Sequence, residues 1–162
     1  MTKMLSFKSI FPLVGAIVFL AFSALSFAQD KAGAPDRVDK VSNKDFAATV
    51  KAAEIALQSK GFMVVATVDH QNMLKMVGAS IKGAKTIEFG KPEMGKMLMP
   101  MAPEAGLEFP GRFYIWERSD GKTIVSYRKP SSGLSTYGSE MLTKMGHDMD
   151  GMWAMFAAEA TK

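Results

Sequence analysis

A chain of 162 residues carrying 20 Lys and Arg against 16 Asp and Glu has a formal charge of +4, too small and too dispersed for a nucleic-acid partner. Cysteine is absent, which excludes disulfides, thiol catalysis, thiolate metal sites and a lipid-modified amino terminus. The length suits one domain with a core sufficient without staples.

The first 28 residues have the make-up of an export signal. Lys3 and Lys8 give a basic start, Ile10 to Phe22 is apolar, and Ser26-Phe27-Ala28 puts small residues where a signal peptidase would cut before Gln29. The alternative is an uncleaved anchor from Ile10 to Phe27, near the lower length limit for a spanning helix and weakened by Ser23 and Ser26. Cleavage implies a periplasmic or secreted protein with no stable membrane insertion. It leaves 134 of the 162 residues, with 18 basic against 16 acidic side chains and 12 of the 14 methionines. Gln29 to Asp36 lacks apolar periodicity and reads as a flexible tether, so that 37–162 forms a single α+β domain.

Ser42 with Asp45 three positions on resembles a capping box, and Phe46, Val50, Ala53 and Leu57 follow as one helical stripe, with Ile55 opposite it. Gly61 suits the left-handed residue that closes such a helix, and Phe62 to Val68 predicts a strand. Asp69 predicts the cap of a short helix from His70 to Val77, ended by Gly78. Thr86 to Phe89 predicts a second strand leading into Gly90-Lys91-Pro92, where proline suits the first turn of a helix or a tight loop. Strands from Phe113 to Glu117 and Thr123 to Tyr127 flank Ser119-Asp120-Gly121-Lys122, and Asp-Gly predicts a tight two-residue hairpin. Lys129 to Gly138, rich in Ser, Gly and Pro, reads as a surface loop. Leu142, Met145, Met149, Met152 and Phe156, with Trp153 beside them, predict a final amphipathic helix that leaves His147 on its far side. Gly146 and Gly151 weaken that helix and make it depend on docking.

Taken as a set, Gly61-Phe62, Asp69-His70, Phe89-Gly90-Lys91-Pro92, Gly95, Leu98-Met99, Pro103, Phe109-Pro110 and the Asp120-Gly121 hairpin up to Tyr127 resemble the domain of unknown function 302 family from about Val41 to Pro130. The resemblance implies an α+β two-layer sandwich with helices packed on one face of a small antiparallel or mixed sheet. It implies no particular reaction. Lys91 stands where the family often has Asn.

Three functional readings compete. The first is a binding module holding a small ligand or protein partner near Asp69, His70, Phe89, Gly90, Lys91, Pro92, Gly95 and Met99, with Lys91, Pro92 and Gly95 forming a rim at a strand end. The second is a Cu(I) or Ag(I) site built from Met94, Met97, Met99 and Met101, because soft thioether sulfur selects these ions without losing a proton; without it, no cofactor is expected. The third is hydrolase or isomerase chemistry at His70, set against a structural role in which Asp69 caps the helix and the imidazole donates to a loop carbonyl. The usual catalytic motifs are missing, which argues against an enzyme. Apolar and methionine-rich surfaces point to a possible homodimer.

Overall fold

A computed structural model describes residues 35–162. The expected signal segment lies outside the described residues, as does the tether up to Gln29–Ala34. Its last residue, Asp36, is tied down: it is ion-paired with Arg128, and its carbonyl accepts from Lys129 N–H at 2.8 Å.

Five strands form one antiparallel sheet: β1 (Arg37–Val41), β2 (Met63–Asp69), β3 (Ala84–Gly90), β4 (Gly111–Glu117) and β5 (Thr123–Arg128), in the order β1-β5-β4-β3-β2. The helices are α1 (Phe46–Ser59), α2 (His70–Lys75), α3 (Pro92–Leu98), α4 (Pro130–Leu134) and α5 (Glu140–Thr161). Alternation along the strands sends Ile87, Phe89, Phe113, Ile115, Val125 and Tyr127 to one face, where α1 supplies Ala53 and Leu57 and α5 supplies Met149, Trp153, Phe156, Ala157 and Ala160. This is the two-layer α+β sandwich that the family resemblance implies.

The expected strands and main helices are present, with instructive shifts at their ends. Asp45, not Ser42, caps α1, accepting from Ala48 N–H at 2.8 Å. Ser42 is buried and meets the Thr49 hydroxyl at 2.7 Å. Strand β1 was not marked by any alternating run, since Arg37, Asp39 and Lys40 surround Val38; pairing with β5 makes it a strand. The Asp120-Gly121 hairpin forms, but as a three-residue loop. Gly121 N–H donates to Arg118 O at 3.0 Å, and Gly121 takes the left-handed position at φ 84°.

Residues 129–138 correct the expectation of a surface loop. Pro130 opens α4, Ser135–Tyr137 adds a 3-10 turn, and Leu134 is fully buried. The helix is held by α5, whose Asp150 carboxylate accepts from Ser131 N–H at 3.0 Å and the Ser131 hydroxyl at 2.6 Å. Ser, Gly and Pro look like a loop by local propensity, and tertiary contact overrides that preference.

The two glycines of α5 divide by role. A Cβ on Gly146 would lie 2.7 Å from the Ser131 Cα, so its absence lets α4 reach α5, whereas a Cβ on Gly151 would meet nothing within 4 Å. Gly146→Ala is therefore expected to lower unfolding stability by about 1–3 kcal/mol through overpacking. Gly151→Ala should raise it by about 0.5–1 kcal/mol through helix propensity. Urea denaturation of the pair checks both signs.

Candidate functional site

Strand β3 separates the two halves of the crevice expected from the sequence. Asp69 faces Lys85 at one end of the β2–β3 ladder, and Met63 faces Gly90 at the other. Five residues at about 3.4 Å each put roughly 17 Å between them. Asp69 and His70 therefore belong to one place, and Gly90, Lys91, Pro92, Gly95 and Met99 to another.

At the Gly90 end, β3 stops and Pro92 occupies the first turn of α3. This turn, together with Met63 and Val65 of β2 and the Phe109-Pro110 corner, encloses a recess of about 330 Å³ whose other walls are Met94, Gly95, Leu98 and Met99. The walls are almost wholly apolar, and Lys91 supplies the one charged side chain among them. Its ammonium lies 5.8 Å from the centre of the Phe62 ring and 3.4 Å from the Lys60 carbonyl, two residues outside the recess walls. A Cβ on Gly90 or Gly95 would meet nothing within 4 Å, so both glycines open onto free space. Phe89 does not join this wall. It is fully buried in the core, tilted against Phe113 at 4.8 Å and Trp153 at 5.0 Å.

The four methionines of the expected soft-metal set are divided. Met94 and Met99 line the recess, while Met97 and Met101 are outside its walls and more than half exposed. A Cβ on Gly106 would lie 3.2 Å from the Met99 sulfur, so that thioether packs against the 3-10 turn Pro103–Glu108. In the last helix, Met149 is buried and His147 points to solvent.

At the other end, Asp69 caps α2, accepting from Asn72 N–H at 2.9 Å. That hydrogen bond, with Lys85 at 3.3 Å, holds the Asp69 carboxyl below its ordinary value of 3.8. His70 turns to the sheet face away from α1 and α5. Its Nε2 lies 2.8 Å from the Thr86 hydroxyl, and its ring stands edge-on to Tyr114 at 5.7 Å. The imidazole partner is thus a hydroxyl, where a loop carbonyl was expected.

The open α+β sandwich defines the class, and comparison with known proteins gives the family. Residues 38–157 match the model of the domain of unknown function DUF302, and the chain belongs to that family. The crystal structure of an uncharacterized conserved DUF302 protein from Bacillus stearothermophilus superposes with a TM-score of 0.73 at 15% identity, over 80% of this chain and all of the other. Fluoride-specific ion channel FluC 1 of Brucella suis and FluC 1 of Brucella abortus are each 30% identical to it over 90 residues, 56% of this chain. The chain spans about a third of the length of these curated relatives, 35% and 33% respectively.

Sequence reasoning missed Met63, Val65, Phe109 and Pro110 as recess walls. Met63 and Val65 sit in a β-branched run that reads as core strand, and their place on an edge strand, on the side away from Val64 and Phe89, exposes them, at 55% and 57%. Phe109-Pro110 was marked by the family pattern but had no local signal for a wall.

The Asp69 cap has a pH signature. A carboxyl held below 3.8 when folded contributes stability that is present above that value and lost as pH falls through the depressed one. Asp69→Asn keeps a capping oxygen and loses the titration. The wild type should therefore lose thermal midpoint more steeply than Asp69→Asn on acidification below 3.8, as followed by circular dichroism melts.

Proposed function

We propose that this DUF302 chain is an exported binding module, and that its ligand is a small molecule with an apolar body seated in the Gly90 recess and an acceptor or anionic end at Lys91. One observation carries the reading: a recess of about 330 Å³, at the lower end of small-ligand pockets, whose apolar walls include a single charged residue, Lys91. Five of the residues singled out from sequence, Gly90, Lys91, Pro92, Gly95 and Met99, supply its walls. The 90-residue similarity to much longer Brucella proteins is what a module that can be joined to other sequence would give.

Export rests on the basic and apolar composition of residues 1–28. The full-length gene product made in a Gram-negative host should be recovered from the periplasmic fraction with Gln29 as its first residue by mass spectrometry. Recovery of the uncut chain in the membrane pellet would favour the anchor instead.

Gly95→Leu tests the recess directly. The new side chain enters free space, so the fold should tolerate it while the recess is filled. Two fluorescent probes suit the site: anilinonaphthalene sulfonate, with an apolar body and an anionic group, and neutral phenylnaphthylamine. Both should bind the wild type saturably and bind Gly95→Leu at least ~10-fold more weakly, a loss of about 1.4 kcal/mol or more. Lys91→Gln should weaken the sulfonate alone. Unchanged binding of both probes to Gly95→Leu would remove the recess as the site.

A further inference from the structure

The sheet face turned away from α1 and α5 carries a second set of chemical groups, in a groove that meets the Gly90 recess at Phe109 and Pro110. Along β4, Arg112, Tyr114 and Trp116 share this face, spaced by two residues each, or roughly 7 Å. The Tyr114 and Trp116 rings lie within 16° of parallel, with centres 6.3 Å apart. Both are fixed from outside. Trp116 Nε1–H donates to the Ser126 hydroxyl at 2.9 Å, and the edge-on His70 ring backs Tyr114 while its own nitrogen meets Thr86. Despite these supports Tyr114 stays 38% exposed, so the aromatic pair is held in place without being covered.

The charges beside the rings are unevenly committed. Arg37 is paired with Asp39 and Arg128 with Asp36. Arg112 sits opposite Glu88 in the β3–β4 register, yet its exposed guanidinium makes no ion pair or side-chain hydrogen bond among the described residues. It opens on a groove of about 1090 Å³ that also takes in Tyr114 and Trp116. Arginine presents a planar fork suited to two oxygens of a carboxylate or phosphate, and tyrosine and tryptophan offer flat apolar faces to a planar ring.

We propose that this face binds a small planar ring bearing a carboxylate or phosphate, with the ring against Tyr114 and Trp116 and the anion on Arg112. The uncommitted guanidinium sets the sign of the ligand, and the pre-arranged rings set its shape. Trp116 is the reporter within the site, and Trp153, the second of the 2 tryptophans, is buried on the core side of the same groove.

Benzoate, phenyl phosphate and neutral benzamide, titrated into ¹⁵N-labelled protein, test this assignment through the two indole N–H signals, with Trp116→Phe used to tell them apart. At least one of the anions should move the Trp116 signal saturably, and by more than it moves the signal of the buried Trp153. Whichever anion binds more tightly identifies the head group. Benzamide, and the better anion on Arg112→Gln, should each bind at least ~10-fold more weakly, the scale of one lost charge-assisted bidentate contact. Arg112 is exposed, so its variant should fold as the wild type does. No movement of the Trp116 signal, equal binding of benzamide, or undiminished binding to Arg112→Gln would each overturn the proposal. Shifts confined to the Gly90 recess would overturn it as well, because they assign the probes to the other site.

Discussion

The docking of α5 onto the sheet depends on one close approach, that of Trp153 to Gly111. A Cβ at Gly111 would lie 2.5 Å from the Trp153 ring, so this strand residue has to be glycine for the indole to reach the sheet. Around that contact Phe62, Phe89, Trp153 and Phe156 meet edge-on or tilted, with centres between 5.0 and 6.5 Å. Each such pair contributes about 0.5–1.5 kcal/mol beyond the area it buries. The cluster joins the segment after α1, the middle of the sheet and the carboxyl-terminal helix. Without it the sheet would have an uncovered apolar face.

The same contact places the recess. Phe89 is drawn inward by the aromatic cluster, and the next residue, Gly90, ends the strand where Pro92 starts α3. Leu98 is anchored in the core and brings the helix back over the sheet end, which leaves Met94 and Met99 as walls. Phe89 thus acts on the recess by fixing the backbone that lines it. The opposite face of the sheet obeys a different chemistry, because β4 alternates Phe113 and Ile115 inward with Arg112, Tyr114 and Trp116 outward. One strand therefore supplies both the core and an aromatic, cationic surface.

Much of this architecture was legible in the residues. The α1 and α5 stripes, the Asp69 cap, the Asp-Gly hairpin and the strand before Gly90 each follow from local patterns whose physical cause operates over a few residues. Elements that depend on distant partners were not legible. Strand β1 exists because β5 lies beside it, α4 because Asp150 holds its first turn and Gly146 gives it room, and the Asp45 cap because Ser42 is already committed to Thr49. For the candidate site, the Gly90 turn could be read, but its separation from His70 could not. Asp69-His70 and Gly90-Lys91-Pro92 are near in sequence, and only the antiparallel pairing of β2 with β3 sends them to opposite ends of the sheet.

The two edges of the sheet differ in a way that bears on the recess. Strand β1 carries Arg37, Asp39 and Lys40, the charged side chains that discourage pairing with another chain. Strand β2 has no charge before Asp69. What interrupts its edge instead is the register shift between Val64 and Ala66, which leaves Val65 as an extra residue. Val64 keeps its place opposite the core residue Phe89, so Met63 and Val65 on either side of it share the other face and line the recess, and the bulge brings Ala66 to that face too, opposite Glu88. A bulge of this kind breaks the flat edge just past the residues that face the Gly90 turn. The interruption of the edge strand thus begins at Val65, the last of its residues to line the recess.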